Sequence, residues 1–188
     1  MLKTGDLILF KAFNNFNSIF IGSYFGHMGM IFIDPVDGKT PLLFEANGIE
    51  RVPLKPHHSK SGVYLTPLED RVKKYKGRCF WKPLNNELPP AVIVDFKKFV
   101  QYAIANMHYE YNVIQDAIKK GLGIERCANA TNCGQLIFLS LIKLGLLPYE
   151  YYDFSMFSHL KWLTNLTNLQ DGYEFLPLIE IVEHPFAS

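Results

Sequence analysis

The chain has two halves of different texture, which meet at the segment 85–90, Asn-Asn-Glu-Leu-Pro-Pro. Before this segment, short apolar runs such as 7–10 and 42–46 alternate with turn signals, a pattern typical of strands. After it, apolar residues recur at helical spacing, for example over 92–107. Strands followed by helices predict the α+β class, in which helices pack against a mainly antiparallel sheet.

The same patterns predict the individual elements. Strands are expected at 7–10, 26–33, 42–46, 49–54, 63–68, 79–84 and 173–182, and helices at 68–75, 92–107, 112–120 and 133–144. The helix at 133–144 is apolar around nearly its whole circumference, so we expect it to be central and buried. A length of 188 residues fits one domain over 1–188, with 1–84 mainly strands, 91–170 mainly helices and 173–182 a closing strand.

The charge balance argues against a nucleic-acid partner. Lys and Arg total 19 and Asp and Glu total 18, for a net charge of +1. Nucleic-acid binders usually carry a strong basic excess or a clustered basic stripe. The densest basic stretch, 71–78, is short, and we interpret it as the solvated end of a helix.

Neither a secretory leader nor a membrane span is predicted. Residues 1–20 hold charged side chains and no continuous apolar stretch, and the longest apolar run, 136–147, is short and interrupted. The three cysteines, Cys79, Cys127 and Cys133, are an odd and low number that fits a reducing compartment. We therefore expect a cytoplasmic protein, in which a special cysteine is catalytic or metal-bound.

Cys133 has a chemical reason to be special. It follows Thr131 and Asn132, which are good N-cap residues, and so stands at the first turn of a predicted helix. There the positive end of the helix dipole lowers the pKa of a thiol and favours the nucleophilic thiolate. The alternative is a small apolar core residue, since free cysteines are often buried.

His27 and Glu45 are the candidates for a base and for the group that orients it. His27 begins a strand among glycines, which leave one face of its ring uncovered. Glu45 interrupts an apolar strand, where a buried carboxylate needs a partner such as an imidazole N–H. From these residues alone, His27 could equally be a satisfied strand-end histidine and Glu45 an outward-facing residue.

Short motifs follow one another along the chain from about residue 4 to residue 180. In order they are Thr4-Gly5-Asp6, Gly26-His27-Met28-Gly29, Phe44-Glu45-Ala46, Leu65-Thr66-Pro67-Leu68, Tyr109-Glu110, Asn132-Cys133-Gly134-Gln135 and Phe175-Leu176-Pro177. This series resembles the circularly permuted branch of the NlpC-type superfamily of papain-like cysteine peptidases and their relatives. That branch includes lecithin–retinol acyltransferase-like proteins, bacterial members, and proteins of poxviruses and other large DNA viruses.

The resemblance implies a papain-like, circularly permuted α+β fold. An antiparallel sheet or open barrel would pack against a central helix that carries the nucleophile. The resemblance implies Cys133 as the nucleophile, His27 as general base and acid, and Glu45 as the group that orients the imidazole. Tyr109 matches a family tyrosine near the oxyanion, and Gln135, beside the nucleophile, is assigned with it to oxyanion or substrate contacts.

The implied activity is that of a cysteine hydrolase, which cleaves an amide or ester bond through a thioester acyl-enzyme without a cofactor. The substrate would be a peptide, an amide or a lipid ester, in the cytoplasm or, for a viral protein, the host cytoplasm. The alternatives are a lipid acyltransferase of the lecithin–retinol acyltransferase type and an inactive binding module with the same cleft.

Two further features of the sequence bear on these alternatives. A metal site is disfavoured, because neither the pair Cys127 and Cys133 nor the pair His57 and His58 has the spacing of a zinc site. The aromatic stretch 149–162 is interpreted as packing over the core helix. Its alternative is a lid or lipid-facing surface that would give peripheral membrane contact.

Overall fold

A computed structural model describes residues 1–12, 24–47, 62–109, 130–151 and 159–182. In chain order its strands are β1 (Leu7–Ala12), β2 (His27–Ile33), β3 (Pro41–Asn47), β4 (Gly62–Pro67), β5 (Gly77–Lys82), β6 (His108–Tyr109), β7 (Ala130–Thr131) and β8 (Ile179–Ile181). Its helices are α1 (Leu68–Lys74), α2 (Pro90–Asn106), α3 (Cys133–Lys143) and α4 (His159–Asn165). Single 3₁₀ turns occur at Tyr149–Tyr151 and Gln170–Gly172. The predicted strand 49–54 and helix 112–120 lie outside the described residues.

An antiparallel sheet of six strands forms the centre of the fold, in the spatial order β4-β3-β2-β1-β5-β8. Every neighbouring pair in it is antiparallel. The sheet is open, with β4 and β8 at its edges, and β6 and β7 form a separate parallel pair. The α+β class and the mainly antiparallel sheet predicted from the two textures of the chain are therefore confirmed.

Both faces of the sheet are covered, which explains why the central strands are apolar without interruption. The residues 7–10 of β1 point alternately to the two faces, and all of them are fully buried. On one face lies the larger core, which includes α3, so the predicted central and buried helix is confirmed. On the other face lies a smaller cluster with α1: Ile8, Phe10, Ile31, Leu43, Leu68 and Cys79.

The Gly-Asp motif at the start of β1 ties the sheet together. One carboxylate oxygen of Asp6 accepts the backbone N–H of Leu84 (2.8 Å). The other accepts the indole N–H of Trp81 (2.9 Å) and the backbone N–H of Lys3 (3.1 Å). Burial raises the pKa of Asp6, although these hydrogen bonds oppose that effect. This aspartate therefore has a structural role between β1 and β5.

The closing strand is shorter than predicted. In it, only Ile179–Ile181 pairs with β5, whereas Phe175 forms an isolated bridge with Leu84. Pro177 stands between the two pairings, and a proline has no N–H to donate to a ladder. The prediction of one strand over 173–182 is therefore wrong in extent.

The aromatic stretch 149–162 is described only in part, since 152–158 lie outside the described residues. Within it, the ring of Trp162 in α4 packs against that of Phe138 in α3, with centroids 5.1 Å apart. This contact is the packing over the core helix that the sequence indicates. None of the helices in the described ranges has the length and apolar character to cross a membrane.

Candidate active site

Cys133 is the first residue of α3, and the capping of this helix holds it in place. The side chain of Asn132 accepts the backbone N–H of Gln135 (3.0 Å), while the backbone N–H of Asn132 donates to Oε1 of Gln135 (3.2 Å). This reciprocal capping box satisfies two backbone donors at the helix start. The thiol, which is 6% exposed, thus lies at the positive end of the helix dipole.

The beginning of β2 lies open next to this thiol. Its pairing with β1 extends to His27, but its pairing with β3 begins only at Met30. Successive backbone N–H groups of a strand point to opposite sides. The N–H of Ile31 donates to the carbonyl oxygen of Asp6, on the β1 side. Since Met28 is three residues before Ile31, its N–H points to the β3 side. There it donates to the sulfur of Cys133. The thiol therefore lies in the gap where β3 separates from β2.

Cys133 and His27 share a side-chain hydrogen bond, and each shifts the pKa of the other. Burial by itself would lower the pKa of His27, but Cys133 and Glu45 outweigh it and raise that pKa to about 9. Burial by itself would raise the pKa of Cys133, but the contact with His27 lowers it below its usual value. The N–H groups of Met28 and Gly134 lower it further. Both shifts favour a thiolate–imidazolium pair at neutral pH.

Glu45 binds the opposite side of the histidine ring. Its Oε2 lies 2.6 Å from Nε2 of His27, which leaves Nδ1 as the ring nitrogen for the thiol. Burial would raise the pKa of Glu45, but the hydrogen bonds and charges of His27 and Arg71 lower it. Since Glu45 is only 2% exposed, the alternative that it faces solvent is wrong.

Arg71 is the residue of this site that the sequence analysis missed. Its Nε donates to Oε1 of Glu45 over 2.8 Å. The interpretation of 71–78 as a solvated helix end is wrong at this residue, because Arg71 is one of the buried residues of α1. The signal was its spacing of three from Leu68, which places both side chains on the helix face that packs against the sheet.

The remaining predicted residues, Tyr109 and Gln135, lie close to Cys133 along the backbone. The backbone of Tyr109 in β6 pairs with Thr131, two residues before Cys133, and its side chain lies outside the described part of the structure. Gln135 uses its side-chain oxygen in the capping box, so it holds the helix start. Contacts of Tyr109 and Gln135 with an oxyanion or substrate stay predictions.

The two other cysteines differ from Cys133 in their surroundings. Cys79 belongs to the smaller cluster on the other face of the sheet. Burial raises its pKa to about 11, so its thiol stays protonated at neutral pH. Cys127 lies outside the described residues.

No protein-family model matches the chain, and a search of curated proteins found no match. Among solved structures, the chain is similar to the metalloprotein yiiX from Escherichia coli O157:H7, with a TM-score of 0.48 and 18% sequence identity. The match covers 74% of this chain, and the chain spans 64% of the length of that protein. Within the described ranges, no group of three or more His, Cys, Asp or Glu side chains could hold a metal ion.

Proposed function

We propose that the protein is a cysteine hydrolase of the circularly permuted papain-like type, which cleaves an amide or ester bond through a thioester acyl-enzyme. The observation that carries this proposal is the hydrogen-bonded series Cys133, His27 and Glu45, with the sulfur at a helix start. A nucleophile in contact with a base, which is itself oriented by a third group, is typical of nucleophilic catalysis. The resemblance of the motifs to the NlpC-type superfamily supports the same assignment.

In the first half of the reaction, the thiolate of Cys133 attacks the carbonyl carbon of the substrate and forms a C–S bond. The carbonyl oxygen becomes an oxyanion, for which the backbone N–H of Cys133, at the helix start, is a suitable donor. The imidazolium of His27 gives its proton to the leaving amine or alcohol as the C–N or C–O bond breaks. The acyl group remains on the sulfur as a thioester.

In the second half, neutral His27 takes a proton from a water molecule, whose oxygen adds to the thioester carbonyl. The C–S bond then breaks, the carboxylic acid leaves, and the thiolate–imidazolium pair is restored. Glu45 holds Nε2 throughout, so that Nδ1 faces the sulfur and the incoming water. If another acyl acceptor replaced water, the same thioester intermediate would lead to acyl transfer.

The experiment that tests this function is turnover of a panel of acyl esters and peptide amides by wild type and variants. Cys133→Ala should lower turnover by about a thousandfold or more, and His27→Ala should be nearly as damaging. Glu45→Gln should cost less, because Glu45 only orients and charges the imidazole. In the wild type, intact-mass measurement should detect an acyl adduct on Cys133.

The matched control is Cys79→Ala, which removes the buried thiol of the smaller cluster, whose pKa is raised to about 11 by burial. This variant should keep wild-type turnover. Thermal melting of each variant separates loss of folding from loss of chemistry. Wild-type turnover by Cys133→Ala would show that another group is the nucleophile and would overturn the proposal.

A further inference from the structure

Arg71 is buried beside the proposed catalytic residues, yet the reaction described above gives it no step. Its guanidinium donates from Nε to Oε1 of Glu45 over 2.8 Å, and the two side chains are 9% and 3% exposed. Burying a guanidinium and a carboxylate together costs desolvation energy and often adds no net stability. The pair is therefore poorly explained by stability alone, and a role in the site is the stronger explanation.

Aromatic rings fix the position of this guanidinium. Its central carbon lies 4.5 Å from the ring centroid of Phe10 and 5.5 Å from that of Tyr75, both suited to cation–π contact. The ring of Phe10 also lies 5.4 Å from the ring of His27. Phe10 therefore packs against both groups that bind Glu45, so the carboxylate is held between two side chains of restricted position.

The charge balance of the site gives Arg71 a reason to be there. In the reactive form, Cys133 and Glu45 are negative and His27 is positive, which would leave one net negative charge in a buried place. Burial makes such a net charge unfavourable, and protonation of the thiolate or of the carboxylate would remove it most easily. The guanidinium brings the sum to zero.

Among the described residues, other titratable side chains also lie close to this site, and one of them is Tyr75, which packs on the guanidinium. Tyr64 of β4 stands opposite Glu45 in the sheet register. Cys79 of β5 lies near enough to Arg71 for the guanidinium to affect its pKa, but burial still raises that pKa to about 11. Neither a tyrosine nor a protonated thiol supplies a positive charge, so Arg71 is the cation that balances Glu45.

We propose that Arg71 is a positioning residue that acts through Glu45: it holds the carboxylate toward His27 and balances its charge, so that the ion pair of Cys133 and His27 persists at neutral pH. This inference rests on the proposed function, because it matters only where Cys133 reacts as a thiolate. The competing explanation is a structural ion pair that fastens α1 to β3. Such a pair would affect stability and leave the reactivity of the thiol unchanged.

The experiment measures the rate at which iodoacetamide alkylates Cys133 from about pH 4 to about pH 9, followed by mass spectrometry of its peptide. This readout needs no substrate. Arg71→Met should move the acid limb of the profile about one pH unit higher, so that the rate at any pH on that limb falls by about tenfold, the effect of one pKa unit. Arg71→Lys keeps the charge and should recover much of that loss.

The control is Arg78→Met, from the same basic stretch. The side chain of Arg78 is 41% exposed and pairs with Glu180 rather than with the site. Its removal should leave the alkylation profile unchanged. If Arg71→Met lowers the melting temperature while its profile overlaps that of the wild type, the ion pair is structural and the proposal is overturned.

A second comparison decides the matter if Arg71→Met does not fold. Glu45→Gln combined with Arg71→Met removes both buried charges and is compared with Glu45→Gln alone. Equal profiles support action through Glu45, and a further shift in the combined variant overturns it. Slow alkylation of Cys133 in the wild type itself would instead contradict the proposed function, so the two failures are distinguishable.

Discussion

At the residue scale, the contacts of a sulfur decide whether its cysteine is reactive. Cys133 lies at a helix start, against an imidazole and two backbone N–H groups, and these contacts lower its pKa. Cys79 lies in an apolar cluster, where burial raises its pKa to about 11. The thiolate is the nucleophilic form, so two buried cysteines of one chain should differ widely in reactivity.

This difference predicts selective labelling of the native protein. At about pH 6, well below the usual thiol pKa of about 8.5, iodoacetamide should modify Cys133 far faster than Cys79. The rates come from peptide mapping at successive times, and denatured protein serves as the control in which all thiols react alike. Equal labelling of Cys133 and Cys79 in the folded protein would leave Cys133 with a structural role only.

At the scale of the elements, close packing of β2 against the side chains of β3 places His27. A Cβ atom added to Gly29 would lie 2.8 Å from two atoms of the Leu43 side chain. Leu43 is fully buried and has little freedom to move. The glycine of the His-x-Gly motif therefore lets Leu43 pack across β2, two residues from His27.

Gly29→Ala should consequently destabilise the protein and disturb the site together. Overpacking of this kind costs about 1–3 kcal/mol of the free energy of unfolding. A shift of β2 would also move His27, so the alkylation rate of Cys133 near neutral pH should fall. Both are measurable, by denaturant unfolding and by labelling. In the control Gly62→Ala, the new Cβ atom would meet only the outer end of the Tyr64 side chain, at 3.3 Å, and should be tolerated.

At the scale of the whole molecule, the pair of Cys133 and His27 links stability to pH. The pKa of His27 is raised to about 9. The stability that its protonated ring contributes is therefore fully present below about pH 6.5 and is lost as the pH rises through 9. The pKa of Cys133 is lowered. The stability that its thiolate contributes is therefore fully present above about pH 8.5 and is lost as the pH falls through the pKa of this thiol in the folded protein. Between about pH 6.5 and 8.5 one share grows as the other declines, and their sum stays level.

We therefore expect a plateau in the stability that the pair contributes. The measurement is the free energy of unfolding of the wild type minus that of Cys133→Ala, which cancels the titration of distant groups. The difference should be level from about pH 6.5 to 8.5 and should fall below that range by about 1.4 kcal/mol per pH unit. A difference that stays level as the pH falls from about 6.5 to about 5 would contradict an ion pair, because it would mean that Cys133 is protonated in both the folded and the unfolded protein.

Local patterns in the sequence were enough to predict much of this molecule. The strands before residue 85, the helices after it and the position of Cys133 at a helix start depend on residues within a few positions of each other. Asn132, one of the two predicted N-cap residues, caps α3, although the part that Gln135 takes in this cap was not predicted. Pro177 shortened the closing strand, because the missing N–H of a proline outweighed its apolar neighbours.

The burial of Glu45 and its contact with Arg71 were decided by tertiary structure alone. The alternation of β3 does not say whether both faces of its sheet are covered, and only that covering buries Glu45. Arg71 stands in a basic stretch and is 26 positions away from Glu45 along the chain. It faces inward because α1 lies across the second face of the sheet, and a buried carboxylate there requires a cation.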